Sequence, residues 1–359
     1  MQLLPNVPAR LAVEPATIIL RKNVNNENHI NKSNETTMST LKPFKFEPYL
    51  KSVLWGGEQI AEYKGIVTDQ HNIGESWEIS GVPGHESVVA EGDDKGMNLR
   101  ELIEKYKGDL VGNAVYAKFG DVFPLLVKII DAKRDLSVQV HPDDTLAKAR
   151  HNSYGKTEMW YIIKADEGAP IYAGLSKQIT PEQYEKCVAE NTIMDVIARH
   201  DSHAGDLFFL PAGRIHAIGA GNLLAEIQQT SDITYRVYDF GRLDANGNPR
   251  ELHTEQAKDA IDYTVYPEYK SNYDRNGKSA TPLVKCEYFD VKREIIEGES
   301  TIDASADSFM IVMCLDGAAT ITDNLGGVTE VKKGESILVP AVITSMKAEG
   351  NATFMTATV

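Results

Sequence analysis

One β-type pattern occurs twice in this chain, and it constrains the fold more than any other feature of the sequence. GDLFFLPA (205–212) and GESILVPA (334–341) share a Gly turn, an acidic residue, four strand-type positions and a final Pro-Ala. Each copy is typical of a loop that enters a buried strand and of a strand that proline ends. Because the two copies are far apart in sequence, we expect two similar β-barrels in one chain.

Short apolar runs broken by Gly, Pro and Asp fill much of the chain from Leu41 onward, as in sheet proteins. Clear strand candidates are IGESWEIS (73–80), FPLLVKII (123–130), LSVQVH (136–141) and TEMWYII (157–163). Two stretches instead have helical spacing, NLRELIEKYKGDLVG (98–112) and TPEQYEKCVAENTIMDVIARH (180–200), the second with Thr180 as N-cap. The sequence therefore predicts a mainly β chain with a few helices.

The first 40 residues differ in composition from the rest of the chain. The run NVNNENHINKSNETTMST (23–40) consists mostly of Asn, Ser, Thr and charged residues, which cannot bury a core. We therefore predict that residues 1–40 form a disordered arm.

Charge and cysteine content exclude several classes of partner. The chain carries 52 acidic and 37 basic residues, a net charge of −15, so we expect neither nucleic acid nor an anionic membrane as a partner. An anionic ligand would need a local cluster of Lys and Arg. The three cysteines are widely spaced without a C-x-x-C pair, which favours free thiols in a reducing compartment. No apolar stretch approaches 18 residues, and we predict a cytoplasmic protein.

One strand candidate has two very different faces. In LSVQVH (136–141) the apolar residues alternate with Ser137, Gln139 and His141, so these three polar side chains share one face. Such a face either lines a cavity or meets solvent, and this strand alone does not distinguish the two.

Two further segments add groups of the same kind. KTEMWYII (156–163) places Lys156 and Glu158 on one face among apolar neighbours, and a buried glutamate is costly unless it is paired or binds a metal. A surface ion pair at the start of a strand is the alternative. His216 follows a Gly-containing turn within FFLPAGRIHAIG (208–219), where a hydrogen-bonded core histidine is the alternative.

Together these segments offer two imidazoles, one carboxylate and one amide oxygen. The candidate ligands are Gln139, His141, Glu158 and His216. Such a set suits zinc or another borderline divalent metal with one open position, but two histidines and a carboxylate also suit non-haem Fe(II). No histidine follows His253, so the second copy of the repeated pattern cannot supply such ligands.

Charged residues in LLAEIQQTSDITYRVYDFGR (223–242) complete the set of candidates. Glu226 lies on one predicted strand, and Arg236 and Arg242 lie on or after the next. Arginine is a planar, permanently charged clamp for phosphate or for a developing oxyanion. The alternative is a pair of solvated arginines.

The order and the residues of these motifs resemble those of one enzyme family, the type I mannose-6-phosphate isomerases, in their shorter bacterial form. The resemblance covers about residues 41–359. It is carried by VLWGG (53–57), IGESWEIS (73–80), LSVQVHPDD (136–144), GKTEMWYII (155–163), GDLFFLPAGRIHAIG (205–219) and SDITYRVYDFGR (231–242).

The resemblance implies two cupin-like jelly-roll β-barrels: a catalytic metal-binding domain with helical insertions at 41–270, and a C-terminal barrel without metal ligands at 280–359. It also implies a zinc-dependent aldose–ketose isomerase that interconverts D-mannose 6-phosphate and D-fructose 6-phosphate, with one Zn²⁺ per chain. The partner would be a small-molecule sugar phosphate, and the protein would be a monomer or a homodimer.

The same resemblance implies a role for each candidate residue. The zinc ligands would be Gln139, His141, Glu158 and His216. Arg236 would be the catalytic arginine, and Ser137 and Arg242 would contact the substrate phosphate. Lys156 also matches the family pattern.

Isomerisation moves a proton between C1 and C2 through an enediol(ate), and three groups could carry it. Lys156 beside a dication is one, since a like charge favours its neutral form, and Glu226 and a metal-bound water are the others. Two alternatives to the isomerase stay open at this point: a cupin oxygenase that uses Fe(II), and a non-catalytic sugar-binding cupin.

Overall fold

A computed structural model describes residues 41–243 and 247–359, so the arm predicted for residues 1–40 lies outside the described residues. Strands dominate, which confirms the predicted mainly β fold. The strands are β1 Phe44–Glu47, β2 Tyr49–Gly57, β3 Ile73–Ser80, β4 Val88–Val89, β5 Leu125–Ala132, β6 Val138–Val140, β7 Glu158–Ala165, β8 Pro170–Leu175, β9 Ile197–Asp201, β10 Leu207–Leu210, β11 His216–Ile218, β12 Asn222–Gln229, β13 Tyr235–Tyr238, β14 Thr281–Lys285, β15 Asp290–Asp303, β16 Met310–Asp323, β17 Val328–Lys332, β18 Ser336–Val339 and β19 Ser345–Thr358.

The helices are short and lie between strands of the first part of the chain. They are α1 Gln59–Lys64, α2 Leu99–Tyr106, α3 Gly108–Val111, α4 Asn113–Phe119, α5 Asp144–His151, α6 Pro181–Ala189 and α7 Thr254–Ala260, with a 3₁₀ turn at Ile193–Val196. Among the described residues, no helix is long and apolar enough to cross a membrane.

The repeated pattern folds into the same local unit at both places, as predicted. Gly205 and Gly334 have φ values of +80° and +81°, a region that glycine enters without steric cost. The strands β10 and β18 follow these turns, and each ends directly before the Pro-Ala pair.

Both predicted helices begin where expected but end early. Asn98 and Thr180 cap α2 and α6 in capping boxes with Glu101 and Gln183. The helix predicted over 98–112 breaks at Lys107, whose φ is +49°, and α3 follows. The helix predicted over 180–200 was wrong beyond Ala189: positive φ at Asn191 ends it, and residues 197–201 form β9, which pairs with β8.

A six-stranded sheet with the order β10-β7-β12-β5-β3-β2 forms one wall of the first β-sandwich. Its central strands β5 and β12 are buried at every residue, as is typical of strands covered on both faces. Their register sets Glu226 of β12 opposite Lys128 of β5 on one side and opposite Trp160 of β7 on the other. Glu226, Lys128 and Trp160 therefore lie side by side on three neighbouring strands.

A five-stranded sheet with the order β13-β6-β11-β8-β9 forms the facing wall. The short strand β6 lies between β13 and β11, so Gln139 pairs in register with Arg236 on one side and with His216 on the other. Residues that are nearly a hundred positions apart in sequence thus meet at one end of this sheet.

The eight-stranded sheet belongs mainly to the last part of the chain, with the order β14-β15-β19-β16-β18-β1-β4 and with β17 paired to β16. The first described strand, β1, connects the C-terminal strands to β4, since Phe44 pairs with Leu338 of β18 and Phe46 pairs with Val89 of β4. The sheets pack as cupin-like sandwiches and have open strand orders, not closed rings. The division into domains at 41–270 and 280–359 stays a prediction, and the described residues from Leu41 onward belong to one compact unit.

Candidate metal centre and substrate cavity

Three potential metal ligands converge between the two facing sheets. Ligand atoms of His141, Glu158 and His216 all lie within 4.8 Å of one another, and all three residues are buried. His141 directly follows β6, while Glu158 and His216 are the first residues of β7 and β11. The strand ends of both sheets therefore bring together the histidines and the glutamate that the sequence predicted.

Backbone carbonyls orient both imidazoles toward the glutamate. Nδ1 of His141 lies 2.8 Å from the carbonyl oxygen of Ile233, and Nδ1 of His216 lies 2.8 Å from that of Arg214. With a proton on each Nδ1, each Nε2 is an acceptor, and these atoms lie 3.6 Å and 3.2 Å from the Glu158 carboxylate. This tautomer is the one that a metal-binding histidine with a carbonyl partner adopts.

Burial keeps both imidazoles neutral. It lowers the pKa of His141 well below the usual value, and the ammonium of Lys156 acts in the same direction. Burial also lowers the pKa of His216 to about 3. Neutral imidazoles can coordinate a cation without first losing a proton.

Glu158 and His216 present buried acceptors to one another without a donor between them. Oε1 of Glu158 and Nε2 of His216 receive no hydrogen bond from a described residue, whereas Oε2 of Glu158 is paired with Lys156. Lys156 lies close, with Nζ 3.0 Å from Oε2 of Glu158, yet burial still raises the pKa of Glu158 to about 7. Unsatisfied acceptors that face one another in a buried site fit a divalent cation.

A cavity of about 430 Å³ opens beside these ligands. Its wall brings together five of the predicted site residues: Ser137, Gln139, Lys156, Glu226 and Arg236. The basic side chains along the wall are Lys51, Lys128, Lys156, Arg236 and Arg250, and the acidic ones are Glu75, Glu226 and Asp232. The wall is therefore net basic, in contrast to the net charge of −15 on the whole chain.

Arg236 lines this cavity and also has one buried, unsatisfied donor. Its NH1 donates to the carbonyl of Glu251 at 2.8 Å, and its backbone N–H donates to Nδ1 of His253 at 3.0 Å. Its buried Nε has no partner among the described residues. Burial, together with the nearby Arg250 guanidinium, lowers the pKa of Arg236. An anion that accepts a hydrogen bond from Arg236 would offset the burial of its charge and the repulsion from Arg250.

Arg242, predicted to contact the substrate phosphate, lies beside the cavity, where it shares the Asp239 carboxylate with Arg250. Its guanidinium contacts the carboxylate and the carbonyl of Asp239 and the carbonyl of Asp135. The described lining of the cavity includes Arg250 and does not include Arg242.

Sequence reasoning missed a buried ion-pair cluster in the cavity wall. Nζ of Lys128 lies 3.0 Å from Glu226 and 3.6 Å from Glu75, and 5.2 Å from the ring centre of Trp77. Burial lowers the pKa of Lys128, but the two carboxylates outweigh it and raise the pKa above its usual value. The available signal was the single charged residue in the apolar run FPLLVKII (123–130).

The same cluster keeps the side chain of Glu226 ionised. Its Oε1 accepts a hydrogen bond of 2.8 Å from Nε1 of Trp160, and its Oε2 pairs with Lys128. Burial raises the pKa of Glu226, but Lys128 and Lys156 reverse this effect and lower it to about 2. Glu226 is therefore a fixed anion at neutral pH.

Comparison with known proteins connects this geometry to one enzyme family. Residues 43–167 match the family model of the phosphomannose isomerase type I catalytic domain. Residues 279–359 match that of the mannose-6-phosphate isomerase cupin domain.

Individual relatives cover most of the chain. Mannose-6-phosphate isomerase ManA of Bacillus subtilis is 35% identical over 316 residues, which are 87% of this chain and 98% of that protein. Mannose-6-phosphate isomerase of Streptococcus mutans is 36% identical over 314 residues, or 86% of this chain and 96% of that protein. The crystal structure of mannose 6-phosphate isomerase from Bacillus subtilis superposes with a TM-score of 0.79 at 32% identity, covering 89% of this chain and 100% of that one.

Proposed function

The chain belongs to the type I phosphomannose isomerases, and on that premise we propose that it interconverts D-mannose 6-phosphate and D-fructose 6-phosphate with one zinc ion. One observation supports this proposal most strongly. Two neutral histidines and a buried glutamate with one unsatisfied oxygen converge within 4.8 Å at the edge of a net-basic cavity of about 430 Å³. A dianionic sugar phosphate fits a site of this size and charge.

The proposed zinc ligands are His141, Glu158 and His216, with Gln139 as the fourth. Gln139 lies on the cavity wall and pairs in register with His216. Two nitrogen donors, a carboxylate and an amide oxygen suit zinc. When bound, zinc supplies Lewis-acid polarisation of a substrate oxygen.

The proposed isomerisation proceeds through an enediol(ate), with separate roles for three residues. Lys156 lies on the cavity wall and carries the proton between C1 and C2. Glu226, whose pKa is lowered to about 2, is too weak a base to carry this proton. It stays ionised and orients Lys128 and Trp160. Arg236, whose guanidinium belongs to the cavity wall, donates to the oxyanion of the intermediate.

A coupled assay with mannose 6-phosphate, before and after chelation, tests the reaction and its metal dependence together. We expect turnover in zinc-loaded protein, loss of turnover after chelation, and recovery with Zn²⁺. Folded, zinc-loaded protein that forms no fructose 6-phosphate would reject the isomerase. Oxygen uptake with Fe(II) would instead identify the oxygenase alternative.

The variant Arg236→Ala distinguishes the proposed isomerase from a non-catalytic sugar-binding cupin. We expect kcat to fall about 10²–10³-fold, the usual effect of removing one oxyanion donor, while zinc content is unchanged. Zinc content by mass spectrometry and the melting temperature are the controls. Unchanged turnover in this variant would contradict the proposed role of Arg236.

A further inference from the structure

A second cavity, of about 700 Å³, lies where α4, α5 and the last part of the chain meet. Phe119 and Tyr154 belong to its wall, with their ring centres 6.2 Å apart, and Tyr288 adds a third aromatic ring. The described residues that line this cavity include none of those that line the substrate cavity. The proposed function therefore leaves the second cavity without a role.

The charge of the second cavity is opposite to that of the substrate cavity. Three carboxylates belong to its described lining, those of Asp144, Glu287 and Asp307. The two lysines of this lining already have partners. Nζ of Lys118 lies 5.0 Å from the ring centre of Phe119. Nζ of Lys148 donates to Oδ1 of Asn152 at 2.6 Å. An excess of carboxylates favours a cationic ligand and disfavours a sugar phosphate.

One aromatic ring of the second cavity lies beside the Asp144 carboxylate. Burial and the charge of this carboxylate raise the pKa of Tyr288 to about 12. An ammonium group gains from a carboxylate and from the face of an aromatic ring, so the two groups together suit an amine. The volume of the cavity accommodates the apolar body of a small aromatic molecule.

Asp144 connects the second cavity to the substrate cavity. Its Oδ1 accepts from the backbone N–H of Gly155 at 2.7 Å and from Nε2 of Gln229 at 3.0 Å. Oε1 of Gln229 in turn accepts from the backbone N–H of Thr157 at 2.8 Å. Gly155 and Thr157 flank Lys156, which lines the substrate cavity. One hydrogen-bond network thus contacts the second cavity and also holds the backbone around Lys156.

We propose that the second cavity binds an organic cation, an amine with an aromatic body, and that this binding lowers the rate of turnover. An ammonium group that pairs with Asp144 competes with the hydrogen bonds that the carboxylate accepts from Gly155 and Gln229. The backbone on both sides of Lys156 is then held less firmly, so the proposed proton carrier loses its position. The binding site rests on the geometry alone, and its effect on turnover rests on the proposed function.

Ligand-observed NMR titration of zinc-loaded protein with 2-phenylethylamine tests the site, and the neutral 2-phenylethanol is the reference. We expect saturable binding of the amine, at least about tenfold tighter than that of the alcohol, because only the amine pairs with a carboxylate as an ion. Asp144→Asn should remove most of this preference. Absence of saturable amine binding, or equal affinity for the amine and the alcohol, would overturn the proposal.

Ala114→Trp and Ala117→Trp are a matched pair of variants on α4. Both alanines are exposed, but Ala114 lines the second cavity and Ala117 does not. An indole at position 114 should fill part of the cavity and weaken amine binding at least about tenfold, whereas an indole at position 117 should leave it unchanged. Both variants should keep the basal turnover and the melting temperature. Equal amine affinity in the two variants would place the amine elsewhere and would overturn the site.

Steady-state kinetics in the presence of the amine measure the effect on turnover. We expect saturating 2-phenylethylamine to lower kcat about threefold to tenfold and to change KM for mannose 6-phosphate less than about twofold, since the two cavities are separate. Ala114→Trp should abolish this inhibition. Saturable binding with an unchanged kcat would overturn the coupling to Lys156. Amine binding with the expected variant effects, in a protein without isomerase activity, would reject the proposed function and retain the site.

Discussion

The two copies of the turn–strand pattern share a backbone conformation but differ at the start of the next strand. In each copy a glycine with positive φ precedes a strand that ends before Pro-Ala, and the next strand begins five residues after the proline. The first residue of that next strand is His216 in the first copy and Ser345 in the second. One position in the same local frame is thus a buried candidate ligand in one half and a half-buried serine in the other.

The interiors of the two halves differ in the same way. Between the first two sheets, polar groups of His141, Glu158 and Glu226 are buried beside a cavity. The last part of the chain also buries charged residues, among them Arg293, Glu294 and Asp323, but among the described residues it brings no group of potential metal ligands together. The comparison shows that this β unit is a scaffold, and that the side chains at a few inward positions decide whether it forms a functional site.

Substitutions at the two equivalent positions, 216 and 345, should show the difference between the two halves most clearly. We expect His216→Ala to lose bound zinc and to lower kcat/KM at least about 10³-fold, because the site loses a ligand and Glu158 keeps an unsatisfied oxygen. Zinc content by mass spectrometry and the coupled assay measure both effects.

Ser345→Ala is the matched control for His216→Ala, because it changes the same position of the second copy. It should retain zinc and activity. Loss of zinc in Ser345→Ala, or full zinc content in His216→Ala, would contradict a metal centre confined to the first half.

The pH dependence of stability should sharpen the difference between the halves. In metal-free protein the lowered pKa values of His141 and His216 destabilise the native state as pH falls below about 6.5, since the unfolded chain binds more protons. Glu158 acts oppositely between about 7 and 4.5, because its pKa is raised to about 7. Together these three groups leave about one excess proton in the unfolded state, which contributes a loss of about 1.4 kcal/mol per pH unit to the slope.

Urea denaturation of metal-free protein at pH 6.5, 5.5 and 4.5 measures this slope. His216→Ala should reduce the slope and Glu158→Gln should increase it, each by about 1.4 kcal/mol per pH unit, because each variant removes one of the opposing groups. An unchanged slope in both variants would show that the candidate ligands do not govern the acid sensitivity.

Much of the first-half site could be predicted from local patterns. Alternation in LSVQVH placed Gln139 on the face that lines the cavity, and the motifs identified the four candidate ligands. Arg250 and Lys128 were missed, because their positions depend on long-range packing: one on a shared carboxylate, the other on register between β5 and β12. The end of α6 was also missed, since the positive φ at Asn191 leaves no mark on hydrophobic periodicity.

Gln229→Leu should have a moderate effect through the strand that carries the glutamate ligand. The Gln229 Oε1 accepts from the backbone N–H of Thr157 at 2.8 Å, and its Nε2 donates to Asp144 at 3.0 Å. Asp144 in turn accepts from the N–H of Gly155 at 2.7 Å, so this network holds the backbone on both sides of Lys156. We expect kcat to fall about tenfold, since the variant loses both hydrogen bonds and a displaced Lys156 raises the activation barrier by about 1.4 kcal/mol.

A positional effect of Gln229 on Lys156 would change kcat more than zinc content. Steady-state kinetics and metal analysis on the same preparation make that distinction. Zinc loss in proportion to activity would instead assign Gln229 to the support of Glu158.

Phe354→Leu should have the smallest effect on the site and completes the comparison from the side of the second half. Phe354 lies on β19 in the apolar core cluster and is fully buried. Removing part of the ring leaves space that the rigid sheet fills only partly, so we expect a loss of about 1 kcal/mol in the free energy of unfolding. Because no candidate ligand belongs to this cluster, kcat and zinc content should not change. Urea denaturation and the coupled assay on one preparation test both statements. A marked fall in kcat at unchanged zinc content would show that the packing of the second half controls the first, and the view of the second half as a scaffold would be wrong.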